Sequence, residues 1–301
     1  MNEHVLVLGS TCVDVIIRVD HLPVTEENLH PSGQTFRVGG CAYNVANILG
    51  RGGARTTFIT PVGMTGVFGP YLLPVLKKQS WIRPVLLPDQ QNGCCYCLVE
   101  KSGERTFLSI HGAEYTFDPA WMTPCNGETF DYTYLCGLEV EESTGDKLID
   151  FVSQASTGRL FYAPGPRGAK IERTRTERLL ALHPLLHLNR QEALVLSGAD
   201  DLPRALAALQ EKTGSPVIVT LGADGALLYE DGQTRHLPGE KAGNIVDTIG
   251  AGDAHAGAVL LGLSQSMSLP DAIRLGNRVS AQVVQTEGAT LSDEALQIAL
   301  Q

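Results

Sequence analysis

Nowhere in this chain of 301 residues does an apolar run reach the roughly 20 consecutive residues that a membrane-spanning helix needs. Cations are scarce as well: 23 Lys and Arg stand against 33 Asp and Glu, a formal net charge of −10. Nucleic acids and anionic lipid surfaces want clustered Lys and Arg, so this balance argues against both as partners. Any anion the protein handles must meet positive potential concentrated locally or borrowed from a metal ion. The first residues lack the basic segment, apolar core and small-residue cleavage site of a secretory signal, so a cytoplasmic location is expected. The seven cysteines form no even disulfide framework. Along a strand, Cys95 and Cys97 share one face and Cys94 takes the other, which is poor geometry for one metal. They read as small apolar strand residues. A dinucleotide fingerprint is missing too. The apolar run Val5–Leu8 ends at Gly9, but the second and third glycines of G-x-G-x-x-G do not follow, which disfavours a nicotinamide oxidoreductase.

What is present is a hydrophobic content of 43%, enough for one large core in a single domain. Short β-rich runs at Val5–Leu8, Thr57–Thr60, Tyr132–Leu135, Leu160–Ala163, Leu185–Leu188 and Val217–Thr220 alternate with segments of helical spacing. The helical segments are Tyr43–Leu49, Lys147–Gln154, Glu177–Leu182 and Leu202–Lys212, with two longer helices expected at Gly252–Leu263 and Leu269–Thr286. Such alternation predicts an α/β fold, a mostly parallel sheet covered on both faces, with ligands gathered at the carboxyl ends of the strands. Two segments break the rhythm, Val13–Val38 and Gly93–His111. Both are rich in strand formers without a helix between, and the second reads as a hairpin of Cys94–Glu100 and Arg105–Ile110. They predict a small sheet outside the main layer.

The most informative stretch is Asp247-Thr248-Ile249-Gly250-Ala251-Gly252-Asp253, feeding an apolar segment that reads as a helix. Gly250, Ala251 and Gly252 keep side chains away from a helix start, so backbone N–H groups and the positive end of the helix dipole are free to meet a phosphate. A carboxylate in that position repels an anion. Its presence makes sense if Asp253 takes the proton from a nucleophile attacking the phosphate. Taken alone, the motif fits equally well a tight turn with Asp253 as an ordinary helix cap.

The motif resembles the signature of the ribokinase family of sugar and nucleoside kinases, also called the phosphofructokinase-B family. A second signature lies early, at Gly39-Gly40-Cys41-Ala42-Tyr43-Asn44-Val45-Ala46, and the two stand about as far apart as the family places them. The resemblance covers nearly the whole chain. It implies a three-layer α/β/α sandwich with a small β-sheet lid made from about 13–38 and 93–111. It also implies roles for individual residues. Asp14, just past the first strand, would accept hydrogen bonds from vicinal sugar hydroxyls, with Gly39, Gly40 and Asn44 around the same acceptor. On the donor side, Asn189 and Glu192 match an Asn-x-x-Glu element, with Asn189 toward phosphate and Glu192 toward the water shell of Mg²⁺. The same pair would also serve as a capping box. Thr220, Gly222 and Gly225 match the nucleotide-binding turn, and Asn277 falls near where relatives border adenine. A monovalent cation, expected to be K⁺, would sit on Asp247 and the carbonyl of Ile249, completed around Glu287-Gly288-Ala289. There is one departure. Where relatives carry an Asp-x-Asn-x-x-Arg-like segment, this chain reads Ala163-Pro164-Gly165-Pro166-Arg167, leaving only Arg167 as a phosphate contact.

The expected function is therefore an ATP-dependent kinase acting on a hydroxymethyl group of a furanose or sugar acid, with Asp253 as base and Gly250, Ala251 and Gly252 cradling the phosphoryl group. A nucleoside acceptor is the alternative within the family, since Phe36 and Tyr96 in the lid segments offer aromatic faces for a base. A catalytically silent sugar or nucleotide sensor is the alternative from another class. Apolar residues on both faces of the 94–110 hairpin, with free strand edges, predict a homodimer through the lid.

Overall fold

The computed structural model describes residues 3–154 and 157–301. In the first half, β1 (His4–Leu8) leads to β2 (Cys12–Val19), β3 (Gly33–Gly39), α1 (Cys41–Arg51), β4 (Arg55–Thr65) and α2 (Phe68–Leu76). Then come β5 (Ile82–Gln91), β6 (Cys94–Glu100), β7 (Arg105–Ile110), β8 (Tyr132–Cys136), α3 (Gly137–Glu141) and α4 (Gly145–Gln154). The second half runs β9 (Arg159–Ala163), α5 (Arg173–Leu180), β10 (Leu185–Asn189), α6 (Arg190–Ser197), α7 (Leu202–Thr213) and β11 (Val217–Thr220). It closes with β12 (Ala226–Glu230), β13 (Gln233–Leu237), α8 (Ala251–Ser264), α9 (Leu269–Val283) and α10 (Asp293–Leu300).

Nine strands form the main sheet in the order β13-β12-β11-β10-β9-β8-β1-β4-β5. From β11 through β5 the pairs are parallel, and β12 and β13 add an antiparallel edge. Strand alternation divides the core in two. Val5 and Val7 of β1 point into one layer with α1, α8 and α9, while Leu6 and Leu8 point into the other with α4, α5 and α7. The result is the expected three-layer sandwich. From β1 the chain steps to β4 and β5 on one side, then returns to β8 and steps away through β9, β10 and β11 on the other. The reversal between β1 and β8 opens a crevice at the carboxyl ends of the strands, where open α/β sheets bind ligands.

The two segments without helices form a separate four-stranded sheet, β3-β2-β6-β7, with the 94–110 hairpin as read. Boundaries differ in detail. Helix α9 stops at Val283 rather than Thr286, and just beyond it the Val284 carbonyl accepts the N–H groups of Val246 (2.8 Å) and Asp247 (3.1 Å). The pattern also gave no sign of α2, which carries Gly69, Pro70 and Pro74 and whose Leu72 and Leu76 are fully buried. Among the described residues, no helix is long and apolar enough to cross a membrane.

Candidate active site

Helix α8 opens on Gly250, which caps it in the left-handed region (φ 73°) and makes no side-chain capping bond. A side chain there is forbidden on two counts, since a Cβ would also lie 2.2 Å from the Ala289 Cβ. Ala251 donates its N–H to the Thr248 carbonyl at 3.3 Å, so the cradle is narrower than the full turn predicted from sequence. The N–H groups of Gly252 and Asp253 find no acceptor among the described residues, and Gly252 faces open space. That leaves a bare helix N-terminus suited to an anion.

Asp253 does not cap the helix. Its Oδ2 accepts a hydrogen bond from Asn44 Nδ2 at 2.8 Å, joining α8 to α1 across the mouth of the crevice. Burial raises its carboxyl from an ordinary value of 3.8 to about 6, the Asn44 and Cys41 hydrogen bonds pull it down, and the Glu192 charge pushes it up. At neutral pH the group is a carboxylate poised to accept a proton. Asn44 was expected to offer a donor and an acceptor to a substrate hydroxyl. Its donor is committed to Asp253, while its Oδ1 is buried without a partner among the described residues and remains the free acceptor.

The turn 249–253 borders two clefts. One is lined by Asp14, Phe36, Arg37, Tyr43, Tyr71 and Ile249. Asp14 is raised to about 6, chiefly by burial, with the Cys12 thiol lowering it and the charges of Asp253 and Asp247 adding to the rise. Its seat depends on Gly39, because a Cβ at that position would come 2.1 Å from Asp14 Oδ2. Gly40 follows as the N-cap of α1. The other cleft is lined by Gly250, Gly252, Asp253, Asn189, Glu192 and Thr220. Ala163, Gly165 and Pro166 give it an apolar wall where the family motif predicts polar groups.

Asn189 and Glu192 do form a capping box at the start of α6. The Asn189 side chain accepts from Glu192 N–H at 2.8 Å, and the Glu192 oxygens accept from Asn189 N–H (2.9 Å) and Nδ2 (2.7 Å). Burial raises the Glu192 carboxyl. Each oxygen has one protein donor among the described residues, so lone pairs remain for water. Such a group fits Mg²⁺ held through its hydration shell.

Several expected contacts fall elsewhere. Gly222 and Gly225 lie in the turn joining β11 to β12, outside the residues that line the cleft, with Gly225 packed against the Leu237 carbonyl. Asn277 is buried and spent internally. Its Nδ2 donates to the carbonyls of Leu237 (3.1 Å) and Pro238 (2.9 Å), and its Oδ1 accepts from His255 Nε2 at 3.1 Å. Both of its N–H donors are thus committed within the protein. That assignment also fixes the tautomers: His255 Nδ1 accepts from His187 Nε2 at 2.9 Å, and burial keeps both rings neutral, His255 near 4 and His187 well below its ordinary value. Arg167 is taken by Glu141, with Nε donating at 2.6 Å to one oxygen and Nη2 to the other, so it is no free phosphate contact.

At the expected cation site Asp247 has partners that the sequence did not suggest. Asp247 Oδ1 accepts from the Ile249 N–H (2.7 Å) and from Arg105 Nη1, and Oδ2 accepts from the Gly288 N–H at 2.9 Å. A guanidinium and two N–H groups thus engage the carboxylate, and the guanidinium sets a fixed positive charge where the expected ion would meet Oδ1. Sequence reasoning had no reason to bring Arg105 here from a hairpin 142 residues away. It also missed Glu139, whose buried carboxyl accepts from the Ser10 N–H at 2.8 Å and is pushed by desolvation to about 7.

A family profile described as pfkB family carbohydrate kinase matches residues 2–296. An uncharacterized sugar kinase of Escherichia coli K12 is 33% identical over 291 residues, covering 95% of this chain and 90% of the relative. A ribokinase of Staphylococcus aureus is 29% identical over 307 residues, covering 97% of each chain. Among solved structures, the ribokinase of Thermotoga maritima superposes with a TM-score of 0.84 at 22% identity, with 99% of each chain covered.

Proposed function

The chain belongs to the pfkB family of carbohydrate kinases, and we propose that it transfers the γ-phosphoryl group of ATP to a hydroxymethyl group of a furanose or sugar acid. One observation carries this reading. A single turn, 249–253, separates a cleft containing Asp14 from a cleft containing Asn189, Glu192 and Thr220, and Asp253 stands at the join. Donor and acceptor would approach it from opposite sides, as in-line transfer demands.

Asp14 would hold acceptor hydroxyls, and the free Oδ1 of Asn44 would take another. Asp253 removes the proton from the attacking hydroxyl, with Asn44 Nδ2 fixing the orientation of its carboxylate. The N–H groups of Gly252 and Asp253, with the helix dipole behind them, stabilise charge on the phosphoryl oxygens in transit. Bound Mg²⁺ would supply neutralising charge on the triphosphate, with Glu192 holding its water shell and Asn189 toward phosphate. The four-stranded sheet would act as a lid that excludes water, which otherwise competes as acceptor. A dimer through that sheet and a cytoplasmic setting complete the proposal.

A nucleoside acceptor is favoured by one feature, the Phe36–Tyr71 ring pair at the acceptor cleft, with centroids 6.0 Å apart. A screen of sugars, sugar acids and ribonucleosides for acceptor-dependent ADP release separates these readings. A chain that binds ATP but releases ADP with none of them would be a sensor.

A further inference from the structure

Arg105 opens β7 and Arg18 lies near the end of β2, and both are registered against Val99 of β6. The two arginines therefore share one cross-strand row on one face of the four-stranded sheet, two strand spacings or roughly 10 Å apart. Each grips an acid on a different loop, Arg18 with Glu287 and Arg105 with Asp247. The pairs are not equivalent. The Arg18 and Glu287 side chains are 49% and 39% exposed, and such a pair contributes little. The Arg105 and Asp247 side chains are 17% and 5% exposed, where a charge stripped of its partner is costly.

Asp247 is the hub of the cradle. Through its two oxygens it holds the N–H of Ile249, immediately before the Gly250 cap, and the N–H of Gly288 in the late loop. The backbone that presents free N–H groups to an anion is thus tied down by a carboxylate whose own charge opposes that anion. Arg105 cancels it. A monovalent ion at the same carboxylate would face a fixed positive charge already bonded to Oδ1, and like charges that close repel.

Building on the kinase reading of the 249–253 turn, we propose that Arg105 is the resident cation of the anion cradle. It is a positioning residue that fills the role of a bound monovalent ion and makes turnover independent of K⁺. ADP release and thermal unfolding, measured in chloride salts of K⁺, Na⁺ and tetramethylammonium at one ionic strength, test this on wild type, Arg105→Met and Arg105→Lys. Wild type should show the same melting temperature and a kcat/KM constant to within about twofold in all three salts. Arg105→Met should lose roughly tenfold or more in tetramethylammonium and recover, saturably, in K⁺ or Na⁺, with an ion-specific rise in melting temperature. Arg105→Lys, which keeps a charge, should stay indifferent to the salt. Saturable K⁺ activation or K⁺-specific stabilisation of wild type overturns the proposal, and this arm decides even if Arg105→Met does not fold. So does an Arg105→Met defect that no monovalent ion relieves, which would make the arginine a structural staple. Melting needs no acceptor, so failure of every acceptor alongside the expected melting pattern counts against the kinase reading alone.

Discussion

Replacing Asp253 with Asn should make the protein more stable and nearly inactive, and both effects follow from one number. Burial holds the carboxyl at about 6 instead of 3.8. At 1.36 kcal/mol per pKa unit, keeping the ionised form in that site costs the fold about 3 kcal/mol at neutral pH, as an upper figure. Asn removes the charge but keeps an oxygen to accept from Asn44 Nδ2, so most of the penalty is relieved without a cavity. The sign sets the pH window. With the folded value above the unfolded one, wild type is favoured by protonation below about 4 and loses that advantage as pH rises through about 6. The Asp253→Asn variant lacks this titration, so its stability gain should be full above pH 7 and vanish toward pH 4.

Activity moves the other way. Loss of a general base typically lowers kcat by about 10²–10⁴-fold, while ATP and acceptor binding should change little. In wild type, kcat/KM should fall on the acid side with a midpoint near 6. Urea unfolding at pH 8 and pH 4.5, run beside the ADP-release assay, checks both halves. Retention of more than a tenth of wild-type kcat, or lower stability than wild type at pH 8, would refute the reasoning.

Asp14→Ala should raise KM for the acceptor roughly 10–100-fold, the worth of one or two hydrogen bonds to a charged group; steady-state kinetics showing an equal rise for ATP would return Asp14 to a structural role. Asn277→Ala should destabilise the fold by about 1–3 kcal/mol, because His255 and two carbonyls lose their partner. KM for ATP should stay put, and a selective rise would restore Asn277 to the nucleotide site. Phe107, Leu108 and Ile110 on edge strand β7 are 52%, 57% and 57% exposed. Light scattering at micromolar concentration should therefore give a dimer mass that Phe107→Asp with Leu108→Asp reduces to a monomer; a monomeric wild type ends the idea.

The layers of the fold were legible because each strand of the inner sheet carries its own evidence. Val5–Leu8 alternates between two cores, and its bounding Gly9 is written in the sequence. The turn at 247–253 was legible for the same reason, since helix starts are local events fixed by neighbouring residues. Side-chain pairing is not local. Asp247 has the same identity whether it meets an ion or the guanidinium of Arg105, and only the register of β6 with β7 brings that guanidinium near. The partners of Asn277 were equally hidden. Its place in the helix was right, but His255, one turn into α8, claimed its amide oxygen, and no pattern of spacing reports such a claim.

An acidic protein proposed to bind a polyphosphate faces a local problem, and part of the answer lies in its own side chains. Asp14, Asp253 and Glu139 have all been desolvated until they titrate between about 6 and 7. Asp247 is surrounded by a guanidinium and two N–H groups. Beside them stands a helix N-terminus whose Gly252 and Asp253 N–H groups meet no acceptor among the described residues. An arriving phosphate adds negative charge beside Asp253, and like charge raises a carboxyl further. On the proposed mechanism the side chain would become a stronger proton acceptor as the donor substrate settles, coupling binding on one side of the turn to reactivity on the other.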